Sequence, residues 1–165
     1  MNAIRRARTS DVRAIRDLVQ PLTETRVLVA KDAVTYFESL QEFRIVENEA
    51  GRLVGCGALH VMWEDVAEVR TLAVDPTVTG QGIGGRLLEV LLDDARELGV
   101  SRVFCLTFEV DFFTRHGFSA IDGQAVDPDV YAQLLRSYDE GVAEFLDLDR
   151  VKPNTLGNTR MLRTL

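Results

Sequence analysis

The chain has 165 residues, of which 46% are hydrophobic and 27% charged, with 19 Lys and Arg against 26 Asp and Glu and a net charge of −7. This composition is typical of a globular protein and excludes disordered, collagen-like and low-complexity classes; no apolar run approaches the roughly 20 residues of a membrane span. The basic residues form no block, which argues against a nucleic-acid partner, and the N-terminus lacks the apolar stretch of a secretory signal. We therefore expect a single domain over residues 1–165, located in the cytoplasm, without a membrane partner.

Hydrophobic periodicity predicts alternating strands and helices along the first hundred residues. A strand at 4–8 precedes a helix that ends near residue 19, for which residues 9–11 offer N-cap oxygens, and a short helix follows at 31–40. Strands at 43–47 and 53–62 form a hairpin, and residues 66–74 are typical of a buried strand. After a loop at 75–82, the clearest helix spans 84–98 and ends at Gly99.

The rest of the chain gives weaker signals. We predict a buried strand at 102–107, one or two helical turns at 111–116, a helix at 127–137 and a closing strand at 160–165. The order indicates an α/β domain with antiparallel strands first and a βαβ crossover in the middle. Cys56 and Cys105 lie in apolar runs and are not spaced for metal binding, so we expect buried thiols and no metal site.

The chemically informative segment is a glycine-rich turn, GQGIGG at 80–85, between a buried strand and the clearest helix. Glycines permit positive φ angles and the close approach of a ligand. The first N–H groups of a helix lack intrahelical partners, and its dipole adds about half a positive charge, so this segment can bind a pyrophosphate. The same letters are also compatible with a flexible turn. The segment is not a Walker loop, and it lacks the context of a dinucleotide-binding fingerprint.

Three segments together resemble the GCN5-related N-acetyltransferase (GNAT) family over nearly the whole chain: EVRTLAVDP at 68–76, TGQGIG at 79–84 and FFTRHGF at 112–118. The resemblance implies a GNAT fold: a single mixed, mostly antiparallel sheet, a central splayed parallel pair of strands and flanking helices. It also implies acetyl-CoA as cosubstrate. The family's loop usually begins with Arg or Gln, whereas this chain has Thr79, which removes one side-chain contact and keeps the backbone amides.

The resemblance also assigns cosubstrate-binding residues. The backbone at Leu72, Ala73 and Val74 is expected to bind the pantetheine arm. The pyrophosphate is expected on the loop formed by Thr79, Gly80, Gln81, Gly82, Ile83, Gly84 and Gly85. Phe113 and Arg115 are expected to flank the sulfur end and the outer wall of the coenzyme.

The implied reaction is the attack of an amine on a thioester. The amine arrives mostly as ammonium and must lose a proton, for which a carboxylate base is suited, and the developing oxyanion needs an N–H donor at or near Val74. Glu68 stands where some family members have the base, although its place in the strand is equally typical of a surface glutamate. Phe113 stands where many members have a tyrosine acid, so water or the substrate's own proton is left to protonate the thiolate.

Segments 21–31 and 67–74 resemble the acetyltransferase domain of bacterial N-acetylglutamate synthases, and the tail at 139–162 resembles their short actinobacterial form. This implies acetylation of the α-amino group of L-glutamate, the first step toward arginine, with L-glutamine as an alternative acceptor. Two carboxylates require cations, and arginine offers a bidentate fork. The candidates are Arg26, Lys31, Arg70, Lys152 and Arg160. The longer synthases have an arginine just after the strand at 102–107, where this chain has Glu109, so the carboxylate clamp must be built differently.

Two other functions stay open. The acceptor could be a cationic amine, such as a polyamine or a protein lysine, which the acidic charge balance favours through long-range attraction. Phe113 in place of the tyrosine is also compatible with a non-catalytic acetyl-CoA-binding module. Arg70, likewise, is either a substrate ligand or a solvated strand residue.

Because open sheets commonly pair through an edge strand, we expect a homodimer.

Overall fold

A computed structural model describes residues 2–25, 28, 31–155 and 157–165, without the side chains of residues 154 and 155. The strands within this part of the chain are β1 (Ala3–Arg6), β2 (Phe43–Glu47), β3 (Leu53–Trp63), β4 (Val66–Val74), β5 (Arg102–Thr107), β6 (Ser119–Ala120) and β7 (Thr159–Thr164). The helices are α1 (Val12–Glu24), α2 (Ala33–Glu38), α3 (Ile83–Glu97), α4 (Val110–Arg115), α5 (Pro128–Leu134), α6 (Glu140–Phe145) and α7 (Lys152–Thr155).

The strands form one mixed sheet in the order β1-β2-β3-β4-β5-β7-β6. The pairs β1–β2, β2–β3, β5–β7 and β6–β7 are antiparallel. The pair β4–β5 is parallel, with a register that runs over three residue pairs, from Val66 opposite Arg102 to Glu68 opposite Phe104. The prediction of a mixed, mostly antiparallel sheet with a central parallel pair and flanking helices is confirmed.

The chain divides into two compact units. The first comprises residues 1–60 and 69–98, and the second comprises residues 61–68 and 99–165. The assignment of residues 1–165 to a single domain stays a prediction, because compactness does not test whether the units fold separately. No helix in the described part of the chain is long and apolar enough to cross a membrane.

The first unit has an apolar layer on each face of its strands. Ile15 of α1 and Tyr36 of α2 pack with Ile45 of β2 on one face, and Leu87 of α3 packs with Val46 of β2 on the other. Neighbouring residues of a strand point to opposite faces, so Ile45 and Val46 serve the two layers.

Helix α1 extends to Glu24, past the predicted end near residue 19. Pro21 lies inside the helix and removes one backbone hydrogen bond. Leu22, beyond it, packs against the same core as the rest of α1. The burial of this side chain offsets the interruption, which the local sequence does not reveal.

The second unit is centred on buried aromatic residues. Phe104 of β5 packs edge-on against Phe145 of α6, with ring centroids 5.1 Å apart. Helix α6, which the sequence did not predict, is buried from Gly141 to Phe145. A short helix that is buried on all sides has no amphipathic periodicity, so sequence patterns do not detect it.

Helix α3 is fixed to β2 by a bidentate ion pair. The Arg44 guanidinium donates to both carboxylate oxygens of Asp94, at 2.8 and 2.6 Å. These hydrogen bonds raise the pKa of Arg44 above its ordinary value. The two side chains are only 19% and 12% exposed, so solvent screens this pair less than a surface pair.

We predict that Asp94→Asn lowers the free energy of unfolding by about 1–3 kcal/mol, because it leaves a half-buried guanidinium with a weakened partner. The matched control is Asp93→Asn. Asp93 pairs with Arg96 at 2.7 Å but is 71% exposed, so its loss should cost no more than about 0.5 kcal/mol. Urea denaturation of the wild type and both variants measures the difference, and equal losses would contradict the prediction.

Candidate functional site

The loop after β4 begins with a rigid, hydrogen-bonded turn. The Asp75 carboxylate accepts hydrogen bonds from the Thr77 backbone N–H at 2.8 Å and the Thr77 hydroxyl at 2.7 Å, and it pairs with Arg52 at 2.6 Å. The bonds from Thr77, with a smaller contribution from Arg52, lower the pKa of Asp75. The Asp75 N–H also donates to the Val54 carbonyl at 2.8 Å, which ties the loop to β3.

The loop then passes through two left-handed glycines and enters α3. Gly80 has φ +82° and Gly82 has φ +74°. A Cβ atom at either position would meet no atom within 4 Å. Glycine is therefore required by backbone conformation, while the space beside the loop is open. Gly82 is the N-cap of α3, a helix of 15 residues, and makes no side-chain cap hydrogen bond. The first N–H groups of such a helix are suited to bind an anion, so the pyrophosphate site stays a prediction for this loop.

The expected cosubstrate residues of the first unit lie together around this loop. Leu72 and Val74 of β4 pack on the α3 side, with Ile83 at the start of the helix, whereas Ala73 is buried on the α1–α2 side. Thr79, Gly80 and Gln81 are exposed. The Thr79 hydroxyl donates to the Pro76 carbonyl at 3.1 Å. Nothing in this arrangement conflicts with the expected pyrophosphate site.

A strained residue, Thr71, lies within β4 just before these positions. Its φ is +55°, which is rare and costly for a β-branched residue. The Lys31 ammonium donates to the Thr71 hydroxyl at 2.9 Å, and the Cys56 thiol donates to the Thr71 carbonyl at 3.4 Å. Burial raises the pKa of Cys56 to about 12, so the thiol keeps its proton. Sequence reasoning missed Thr71, because its residue type gives no signal for a left-handed conformation.

Three cations of the first unit are predicted to bind the substrate, and the structure describes two of them. Lys31 is half-buried and contacts β4 through Thr71. Arg70 precedes Thr71 on β4 and is also half-buried, so it is not a fully solvated strand residue. Arg26 lies outside the described residues.

In the second unit, Glu68 is buried on β4 with 5% exposure. Its Oε2 atom accepts no hydrogen bond within the described part of the chain, although the residue has other partners. Burial, and next the charge of Glu68, raise the pKa of Cys105, which places this carboxylate near a buried thiol. The interpretation of Glu68 as a surface glutamate is therefore wrong, and its role as the base stays a prediction.

The second aromatic residue of α4, Phe113, is part of the core of the second unit. Phe113 is 5% exposed and packs edge-on against Phe112 and Phe118, with ring centroids 5.1 Å apart in both pairs. Its side chain has no proton to give, so this position supplies no general acid. Arg115, at the end of α4, is exposed.

The two cations predicted in the tail are engaged within the second unit. Lys152, at the start of α7, is exposed and pairs with Asp147 at 3.4 Å. The Arg160 guanidinium donates to the Glu144 carbonyl at 3.2 Å, to the Gly123 carbonyl at 3.1 Å and to the Phe145 carbonyl. Burial lowers the pKa of Arg160. Arg160 thus anchors α6, and the substrate roles of both residues stay predictions. Among the residues that the structure describes, no cluster of His, Cys, Asp or Glu could hold a metal.

The model of the acetyltransferase (GNAT) family matches residues 12–118 of the chain. The amino-acid acetyltransferase of Mycobacterium tuberculosis is 54% identical over 164 residues, which cover 98% of this chain and 94% of that protein. The amino-acid acetyltransferase of Neisseria meningitidis serogroup A is 36% identical over 118 residues, 70% of this chain and 27% of that longer protein.

Two solved structures extend these similarities. Rv2747 from Mycobacterium tuberculosis, in complex with CoA and the ligand designated NLQ, has a TM-score of 0.93, 54% identity and 99% coverage of both chains. N-acetylglutamate synthase from Neisseria gonorrhoeae, complexed with coenzyme A and N-acetyl-glutamate, has a TM-score of 0.80 and 27% identity, and the match covers all of this chain and 35% of that one.

We predict that Gly82→Ala weakens coenzyme A binding about tenfold or more, because a left-handed alanine costs about 1–2 kcal/mol and redirects the N–H groups of the loop. Gly51→Ala is the matched control. Gly51 also has a positive φ, +76°, and open space around its Cβ position, but it lies in the β2–β3 turn. Both variants should lose similar stability, and only Gly82→Ala should lose affinity in calorimetric titration with coenzyme A. Equal affinities of the two variants would contradict the prediction.

Proposed function

We propose that this chain, which belongs to the acetyltransferase (GNAT) family, transfers the acetyl group of acetyl-CoA to the α-amino group of L-glutamate. The observation that carries the proposal is the similarity, over nearly the full length of both chains, to an amino-acid acetyltransferase. The solved N-acetylglutamate synthase complex supports glutamate as the acceptor. L-glutamine is the alternative within the same class. The cytoplasmic location and the homodimer predicted from the sequence remain part of the proposal.

The loop between β4 and α3 binds the pyrophosphate of acetyl-CoA in this proposal. The left-handed Gly80 and Gly82 leave the approach to the α3 N-terminus open. Residues 72–74 of β4 lie just before the loop and offer backbone groups to the pantetheine arm. The bound thioester supplies an activated acetyl group. The chain's own residues position this group and accept the proton that the substrate amine loses.

Glu68 is the proposed base. The substrate amine is mostly protonated at neutral pH and must lose a proton before it attacks the thioester. A carboxylate withdrawn from water accepts a proton more readily than an exposed one. Glu68 is 5% exposed, so its carboxylate is withdrawn from water in this way.

The leaving thiolate must gain a proton from a group other than residue 113. Phe113 is an aromatic hydrocarbon within the core of the second unit. In the proposed mechanism, water or the proton released by the substrate ammonium reaches the thiolate, and the chain contributes position and an N–H donor at or near Val74.

Lys31 and Arg70 are the proposed ligands of the substrate carboxylates in the first unit. Both are half-buried, so their interactions with a carboxylate are less screened than those of surface cations. In the second unit, Lys152 is the more accessible of the two proposed cations, because the Arg160 guanidinium is shared among three backbone carbonyls. Lys152 is exposed at the start of α7.

The function is tested by coenzyme A release from acetyl-CoA with a panel of acceptors: L-glutamate, L-glutamine, L-lysine, spermidine and a lysine peptide. Turnover confined to glutamate, or to glutamate and glutamine, is expected. Turnover confined to the cationic amines would contradict the assignment of glutamate as the acceptor. Coenzyme binding without turnover of any acceptor would favour a non-catalytic acetyl-CoA-binding module.

We predict that Glu68→Gln lowers kcat by about 10²–10⁴-fold, because the amide cannot accept the substrate proton. Affinity for acetyl-CoA should stay close to wild type. Glu64→Gln, at an exposed glutamate in the β3–β4 turn, is the control and should keep wild-type kcat. The proposal for Glu68 fails if Glu68→Gln retains near-wild-type kcat between pH 6 and pH 9.

A further inference from the structure

A cavity of about 220 Å³ lies within the first unit, between α1 and α2. Its lining includes three cations, Arg13, Arg16 and Lys31, and one carboxylate, Asp17. The excess of positive charge favours an anionic ligand. The volume is below the roughly 300–1,000 Å³ of sites for drug-sized ligands, so the cavity suits a molecule of about amino-acid size.

Tyr36 gives this cavity a buried hydrogen-bond donor. The residue is 3% exposed and lines the cavity, and its ring packs near Phe43 with centroids 5.9 Å apart. Its phenol carries a hydroxyl that can donate a hydrogen bond to a ligand in the cavity. Burial raises the pKa of Tyr36, while the positive charge of Arg16 acts against that rise. At neutral pH the phenol is therefore a donor close to Arg16.

Lys31 links the cavity to β4. Its ammonium lines the cavity and donates to the Thr71 hydroxyl at 2.9 Å. Thr71 directly precedes the backbone of residues 72–74, which the proposed function assigns to acetyl-CoA. A ligand held by Arg16 and Tyr36 can thus extend past Lys31 toward the strand that presents the acetyl donor.

We propose that this cavity binds the carboxylate-bearing side chain of the amino-acid substrate, with Arg16 and Tyr36 as specificity-determining residues. This inference rests on the proposed function and adds to it a site on α1 and α2. The Arg16 guanidinium supplies a charged fork for the carboxylate, and the Tyr36 hydroxyl supplies a second donor. A polyamine would bring positive charge into a lining that is already net positive, so the cavity disfavours cationic acceptors.

The first test compares Tyr36→Phe and Arg16→Gln with the wild type in steady-state acetylation. Each variant should raise the KM for L-glutamate about tenfold or more, the effect of losing a hydrogen bond to a charged group, and should leave the KM for acetyl-CoA unchanged. Tyr36→Phe keeps the ring in place, and Arg16 is exposed on α1, so both variants should fold. The matched controls are Tyr138→Phe, at a residue that is 99% exposed, and Arg96→Gln, at an exposed arginine of α3.

A second readout separates substrate recognition from a structural role. Arg16→Gln should lower the ratio of kcat/KM for L-glutamate to kcat/KM for L-glutamine, because the lost charge attracts a carboxylate more than an amide. A general loss of structure would reduce kcat/KM for both substrates by the same factor. Arg16→Lys, which restores the charge without the fork, should recover part of the ratio.

Direct binding keeps this inference separate from the proposed function. Calorimetric titration with L-glutamate and with N-acetyl-L-glutamate, in the presence of coenzyme A, should show binding to the wild type and weaker binding to Arg16→Gln and Tyr36→Phe. Wild-type turnover of glutamate with unchanged KM and affinity in both variants would overturn the cavity assignment alone. Binding that depends on Arg16, without glutamate turnover, would support the cavity and overturn the proposed function. Absence of both binding and turnover would overturn both.

Discussion

Burial of the apolar face of α3 against β2, β3 and β4 is the interaction on which the loop geometry depends. The helix lies so close to β3 that a Cβ at Gly57 would come within 2.9 Å of Leu91 and 3.0 Å of Leu72. The Arg44–Asp94 ion pair holds the helix to β2 near its C-terminal end. Because these contacts hold α3, its N-terminus needs no side chain of its own to fix it. The N–H groups of the first turn can therefore be committed to a ligand.

A second constraint is the local strain of β4. A threonine with positive φ costs of order 1–3 kcal/mol and persists only where neighbours fix it. Cys56 binds the Thr71 carbonyl and Lys31 binds the Thr71 hydroxyl, so contacts on the α1–α2 side hold the strand in this conformation. The strain stands immediately before the residues proposed to bind the acetyl donor. Lys31 couples that point to the cavity, so one cation serves both strand geometry and the proposed ligand site.

Local signals made the framework predictable. The leucine spacing and flanking glycines of α3 predict its position to within one residue, and the glycines predict the turn that precedes it. Features that depend on distant neighbours were not predictable: the left-handed Thr71, the fully buried α6, and the extension of α1 beyond Pro21. Glu68 shows the same limit, since strand alternation cannot distinguish a buried carboxylate from a solvated one. The pocket between α1 and α2 likewise needs tertiary packing, because Arg16 and Tyr36 are far apart in sequence.

The overall charge of −7 and the charge of the cavity point to opposite acceptors. Net charge acts at long range and is screened beyond about 8 Å at physiological salt, so it influences the approach of a ligand more than its bound state. The cations that line the cavity act at contact distance, within the range over which salt does not screen them, and therefore dominate the choice of ligand. In the cavity, Arg13, Arg16 and Lys31 outnumber Asp17, so the lining favours the carboxylate-bearing acceptor of the proposed function over a cationic amine.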